Sequence, residues 1–286
     1  MLVFSALVAG SFSFGTRIAN DIDPMALTAA RFLIATCLLG GLVIVFRRPD
    51  QTAWNAPWRY AVLGFLFAGY FVLMFWGLRT APPVSAAAVF TLTPVMSAGF
   101  GWIILGQRMT PKIAAALAIG ALGALWVIFR ADLSAFLAFD LGRGEAIYFV
   151  GCVSHALYAP LVTKLNRGEP ALVFTFGMLV AGFLFLAVTG APAILATAWG
   201  DLPPRVWWGL AYLAIFASAA SFVLLQVAAL RLPAAKVMAY TYLTPTWVIG
   251  WEIILGAAVP SSLILIGVAL SAVALLLLLR EGTSLD

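Results

Sequence analysis

Successive runs of roughly 20 apolar residues, separated by short polar connections, decide what this chain can fold into. One of them, AAAVFTLTPVMSAGFGWIIL (86–105), carries no charged side chain at all. A helix of that length crosses about 30 Å of hydrocarbon. Inside a bilayer every backbone N–H and C=O has to be bonded within the protein, which leaves helices or closed barrels. Barrel strands are short and alternate apolar with polar residues, whereas these runs are long and unbroken, so each is read as a helix. Composition agrees, with 64% hydrophobic and only 9% charged residues, where a soluble domain carries about a quarter charged. The chain reads as an all-α integral membrane protein.

Ten spans are expected, at about 2–20, 24–46, 58–78, 82–105, 111–130, 145–165, 170–190, 205–229, 233–256 and 260–280. Pro24, Pro111, Pro170, Pro233 and Pro260 sit near helix starts, where a missing N–H costs little. The first stretch, MLVFSALVAGSFSFG, lacks the basic n-region of a signal peptide and is read as a retained span. The net charge of +5 would suit a nucleic-acid binder only if the basic residues clustered, and the largest cluster is Arg47–Arg48. No nucleic-acid partner is therefore expected. Cys37 and Cys152 fall inside apolar runs without metal-ligand spacing and are read as buried free thiols.

The chain also repeats itself. Leu-Thr-Pro at 92–94 recurs at 243–245, and Ile-Ile-Leu-Gly at 103–106 recurs at 253–256. GLRTAPP (77–83) matches ALRLPAA (229–235), and TRIANDIDP (16–24) lines up with TKLNRGEP (163–170). The longest break between apolar runs, around 130–145, separates a first five-helix repeat, 1–140, from a second, 141–286. Five is odd, so matching helices cross in opposite directions, and the repeats are inverted about an axis in the membrane plane. With the N-terminus inside, ten Lys and Arg residues fall on the cytoplasmic side and six on the other. Arg31 and the acidic Asp21, Asp23, Asp132, Asp140, Glu145 and Asp201 fall on the outer side. That excess places both termini in the cytoplasm.

The run GSFSFGTRIANDIDPMALTAARFLIATCLL (10–39) resembles the opening of EamA-type proteins of the drug/metabolite transporter superfamily. FWGLRTAPPVSAAAVFTLTPVMSAGFGWIILGQRMTP (75–111) and ALRLPAAKVMAYTYLTPTWVIGWEIILGAAVP (229–260) resemble the same block in the two halves of that family. Within it the sequence looks most like bacterial amino-acid exporters of the YddG type. The resemblance implies ten helices, cytoplasmic termini and alternating access around a cavity lined by helices 3, 4, 8 and 9 with parts of 1 and 6. Three positions depart from it. The Gly-Glu after helix four is Gly106-Gln107, its counterpart after helix nine is Gly256-Ala257, and a tryptophan of helix six is His155.

Several residues carry the functional expectation. Pro94 and Pro245 each remove one intrahelical hydrogen bond, and Thr93 and Thr244 can bond the freed carbonyls, which makes a symmetric pair of hinges. Glu252, the only acidic residue placed within a span, could bind a substrate ammonium or a coupling proton. His155, the sole histidine, suits proton handling and lies three residues before Tyr158. Tyr70, Gln226, Tyr240, Tyr242 and Trp247 are expected to add aromatic walls and sparse polar anchors. Each also has a plain packing or lipid-facing reading. Trp54, Trp58, Trp207 and Trp208 read as interfacial belts, and the small residues of GALGALWV (120–127) as helix contacts.

No nucleophile–base pair, phosphate-binding loop, HExxH or paired intramembrane carboxylate occurs, so no enzyme activity, metal or cofactor is expected. The expected protein is a monomeric inner-membrane secondary transporter in contact with lipid, exporting small amphipathic solutes such as amino acids, including aromatic ones. The rivals are export of drugs, nucleobases or other metabolites, a membrane-embedded lipid enzyme, or an assembly subunit. Orientation is directly testable. Cysteines placed at positions 47 and 48 should react with an impermeant thiol reagent only from the cytoplasmic face, and labelling from outside would reverse the topology.

Overall fold

The structure, a computed structural model, describes residues 1–46, 51–108, 110–129, 131–138 and 141–280. Arg47, Arg48, Arg130 and Asp140, which enter the charge count, lie outside the described residues. Helices α1 (Leu2–Ile18), α2 (Pro24–Phe46) and α3 (Trp58–Leu78) are continuous. The next span is split into α4 (Pro83–Phe90) and α5 (Thr93–Leu105), followed by α6 (Pro111–Ile128) and the short α7 (Leu133–Ala138). Then come α8 (Arg143–Leu165), α9 (Ala171–Thr189), the short α10 (Ala191–Ala196) and α11 (Pro204–Ala214). A π-helical turn, Ile215–Ala220, joins α11 to α12 (Ser221–Ala229). The chain ends with α13 (Ala234–Ala239), a 3₁₀ turn at Tyr240–Leu243, α14 (Thr244–Ile254) and α15 (Ser262–Arg280).

Among the described residues no strand occurs, and eight helical runs are long and apolar enough to cross a membrane. The other two expected spans are α1, an apolar helix of 17 residues, and the run from α13 to α14, which is broken. The sequence-level starts follow from local chemistry. Pro24, Pro83, Pro111 and Pro204 open their helices, and the Thr110 side chain accepts the Ile113 N–H at 3.2 Å as an N-cap. At the other end of α5, Gly106 takes the left-handed conformation (φ 68°) that terminates the helix. The short α7 and α10 occupy stretches that the hydropathy pattern reads only as connections.

Leu-Thr-Pro interrupts the fourth and ninth spans rather than merely bending them. Around the first copy, Thr91 N–H and Leu92 N–H bond back only three residues, to Ala88 and Val89. Pro94 has no N–H for the Phe90 carbonyl, and the Thr93 hydroxyl donates to that carbonyl instead, at 2.7 Å. In the second copy the Thr244 hydroxyl is buried without a protein partner, so the expected local repair is present only once.

Helix α3 packs on α8 and α9, α6 on α15, α5 on α8 and α13, and α1 on α14. Small residues bring these helices together. Gly64 faces Gly182, and Gly123 faces Gly267, so closely that a Cβ on Gly123 would sit 2.6 Å from the Gly267 carbonyl oxygen. The expected role of the 120–127 stretch is thus seen at Gly120 and Gly123, the former lying under the Tyr242 ring. Trp54, Trp58, Trp207 and Trp208 are exposed near helix ends, as belts would be. Cys152 is buried, but Cys37 is exposed on α2, which corrects the pairing of both as buried thiols.

Gly123→Val should therefore separate α6 from α15 and cost about 1–3 kcal/mol of stability. Thermal unfolding in detergent checks this against Gly41→Val, where an added Cβ meets nothing within 4 Å; equal melting temperatures would refute it.

Candidate functional site

Between α1, α3, α8 and α12 lies a small, largely buried cavity of about 10 Å³. Its wall includes Ser11, Tyr70, Phe71, His155, Ser221 and Phe222. His155 is buried, with its ring 4.5 Å from Tyr70, 4.9 Å from Phe90 and 5.5 Å from Phe67, centroid to centroid. Behind it the Tyr70 and Tyr148 hydroxyls bond each other at 2.9 Å. Gln226 donates to the Tyr158 hydroxyl at 2.9 Å. Ser11 Oγ, Ser221 Oγ, His155 Nδ1 and Gln226 Oε1 are all buried with no protein partner. Buried polar atoms are nearly always bonded, and three of these, on Ser11, Ser221 and His155, belong to residues that line this cavity.

Arg31 stands against the same wall and is fully buried. Its Nε donates to Ser218 Oγ and one terminal nitrogen to the Ala217 carbonyl at 2.5 Å, both in the π-helical turn. The guanidinium lies 3.7 Å above the Phe71 ring, a cation–π contact worth up to about 2 kcal/mol where water is excluded. A π turn releases a carbonyl from the α-helical ladder, and here Arg31 takes it. Charge counting placed Arg31 on the outer side; the structure corrects this, because its side chain points into the core.

The structure brings Tyr70, His155, Tyr158 and Gln226 together and scatters the others. Tyr242 is buried against α6, its hydroxyl donating to the Leu117 carbonyl at 3.4 Å, and Tyr240 packs on the same peripheral cluster. Trp247 is partly exposed and donates from Nε1 to Ser5 Oγ at 3.2 Å. Glu252 forms a two-pronged ion pair with Arg17, at 2.9 and 3.2 Å, tying α14 to the end of α1. Its carboxylate is therefore engaged away from the cavity, and Trp102, its counterpart in the first repeat phrase, is exposed. Nor is Glu252 the sole acid within a helix, since Glu145 is buried in the first turn of α8 and accepts the Ser85 hydroxyl at 2.8 Å. Thr93 also meets Thr241 across the two broken helices, hydroxyl to hydroxyl at 3.2 Å. Gln107 accepts the Ala234 N–H at 3.1 Å and so caps the start of α13.

The profile of the EamA-like transporter family matches residues 1–129 and again 142–280. The chain belongs to that family. This EamA-like protein is 26% identical over 253 residues to an uncharacterized transporter, YyaM, of Bacillus subtilis (strain 168), covering 86% of this chain and 81% of that one. It is 25% identical over 206 residues to an S-adenosylmethionine/S-adenosylhomocysteine transporter of Chlamydia muridarum (strain MoPn / Nigg). That match covers 68% of this chain and 62% of the relative. A crystal structure of another protein, 20% identical, superposes with a TM-score of 0.73 over 97% of this chain and 94% of that one, which shows a shared fold. The EamA-like chain is thus a multi-pass membrane protein of a transporter family.

Unlike Arg31, arginines at its helix ends are held in ion pairs. Arg205 holds Asp21 in two hydrogen bonds, at 2.7 and 2.8 Å, and keeps that carboxyl below its ordinary pKa. Glu169, in the connection between α8 and α9, is pushed up by burial but more strongly lowered by hydrogen bonds from Arg59, at 2.6 Å, and from the Arg167 N–H. Groups with depressed folded values stabilise fully above the unfolded carboxylate range near 4 and lose that contribution as pH falls through the folded value. Glu169→Gln should therefore lower the melting temperature at pH 7 by about 2–4 °C. It should also shrink the loss between pH 7 and pH 3. An unchanged acid-side loss, read by thermal unfolding, would count against the assignment.

Proposed function

We propose that this EamA-like protein is a secondary transporter of the bacterial cytoplasmic membrane that exports small amphipathic solutes, most simply amino acids, including aromatic ones. The observation that carries the reading is this cavity, whose lining sets unbonded polar groups of Ser11, Ser221 and His155 among the aromatic rings of Phe67, Tyr70, Phe71 and Phe222. Such a mixture suits a solute with an apolar body and a few polar groups. The proposed working unit is two inverted five-helix repeats, 1–140 and 141–286, with both termini cytoplasmic. In support, the cavity draws α1 and α3 from one half and α8 and α12 from the other. No enzymatic step is proposed.

Alternating access is the proposed route, and cavity size supports it. A cavity of about 10 Å³ holds at most one water, so a solute enters only when helices move. The break at Thr91–Pro94 lies directly beyond Phe90, whose ring rests on His155. Bending there would shift a wall of the cavity, and the turn at Tyr240–Leu243, just before Thr244 and Pro245, supplies a second break. Of the two proton-coupling candidates, the role goes to His155, because Glu252 is held by Arg17. The Chlamydia relative favours a second reading, export of a nucleoside-bearing metabolite whose base would stack on the same aromatic walls.

Flux in proteoliposomes tests these readings, using labelled phenylalanine, several other amino acids and S-adenosylmethionine, with and without an imposed pH gradient. His155→Ala is expected to lower flux about tenfold, the worth of roughly one lost hydrogen bond to substrate, or to flatten its pH dependence. Pro94→Ala should slow turnover. Wild-type rates in both variants would remove the cavity and hinge roles, and lipid turnover without flux would support an enzyme instead.

A further inference from the structure

Arg31 is a charge that aromatic walls alone do not explain. Burying a guanidinium is costly unless its donors and its charge are both answered. Its donors are partly answered, by the Ala217 carbonyl and Ser218 Oγ, while Nη1 has no partner. Among the described residues no carboxylate forms an ion pair with it. The charge is therefore left with neutral oxygens and aromatic faces.

Its neighbours tie it to the cavity. Ala217, whose carbonyl it holds, and Phe71 and Phe222, whose rings it faces at 3.7 and 6.0 Å, are themselves cavity wall. Ser11 and Ser221 bring two further hydroxyls to that wall, each fully buried and unbonded. The lining thus offers hydroxyl donors, and one fixed positive charge, Arg31, stands directly behind its Phe71 and Phe222 wall. In a low-dielectric site a solute with net positive charge would be repelled, and a polyanion would bring charges that nothing balances. One carboxylate balances one guanidinium, and guanidinium–carboxylate hydrogen bonds are among the strong ones.

We infer that the cavity is a carboxylate site, in which Arg31 supplies the charge and the Ser11 and Ser221 hydroxyls supply donors to a single carboxylate of the solute. This rests on the transport reading and narrows it to monocarboxylates, amino-acid zwitterions among them. The aromatic faces of Phe67, Phe71 and Phe222 then receive the apolar part. Arg31 is a binding residue in this scheme and also the clamp on the π turn.

Binding to the full chain in lipid nanodiscs, by calorimetry, tests it with two acid–amide pairs: L-phenylalanine against L-phenylalaninamide, and 3-phenylpropionate against 3-phenylpropionamide. At least one acid should bind about tenfold or more tighter than its amide. Arg31→Gln should bring that ratio to about one, and Arg31→Lys should keep part of it. Because Arg31 also holds the π turn, Ser11→Ala serves as a second variant, with a reduced ratio and an unchanged melting temperature. Acid and amide binding equally in the wild type would overturn the carboxylate site while leaving transport of phenylalanine standing. Binding of 3-phenylpropionate without binding or flux of phenylalanine would uphold the site and remove the amino-acid reading. Failure of both acids to bind would overturn the site.

Discussion

Inside a bilayer a backbone carbonyl released from its helix has no water to turn to, and much of this structure is organised by how that need is met. Pro94 releases the carbonyl of Phe90, and the Thr93 hydroxyl reaches back to it. The π turn releases the carbonyl of Ala217, and Arg31 crosses from α2 to take it. The first repair is local and leaves a break between α4 and α5. The second is long-range and draws a charge into the core. Between them they set the position of Phe90, Phe71 and Phe222, and so the shape of the space around His155.

The two halves use their shared phrases unequally. Thr93 is bonded and Thr244 is not. Gln107 caps the start of α13, while Ala257, its counterpart, has no side-chain group with which to cap anything. Arg17 and Glu252 join α1 to α14, whereas Trp102, at the position matching Glu252, faces outward. These differences lie toward the helix ends, and the cavity between them is built from residues that the repeated phrases do not contain.

Much of the architecture was legible because a bilayer imposes few solutions. Apolar runs, prolines at helix starts and the repeated words mark helices and their breaks with little help from tertiary structure. Of the expected cavity residues, Tyr70 and His155 line the buried void, and Tyr158, bonded to Gln226, packs on Phe67 of its wall. Tyr240 and Tyr242 could not both face it, since residues two apart on a helix point to different sides. The 3₁₀ turn beneath them changes the facing again. Arg31 was misplaced because counting charges by position along the chain says nothing about where a long side chain points. The π turn has no hydropathy signature at all, being as apolar as the α-helix on either side of it.

The bond from Arg31 to the second half carries a consequence for biosynthesis. Its acceptor at Ala217 lies 186 residues further along the chain. At about 5–20 residues per second, α2 leaves the ribosome roughly 10–40 s before that acceptor exists. Throughout that interval the guanidinium has to keep its head in interfacial water by extending its stem toward the end of the helix. Position 31, on the second turn of α2, is close enough to the end for that. The mature placement of this charge is therefore an event late in assembly, when the second half arrives and draws it inward.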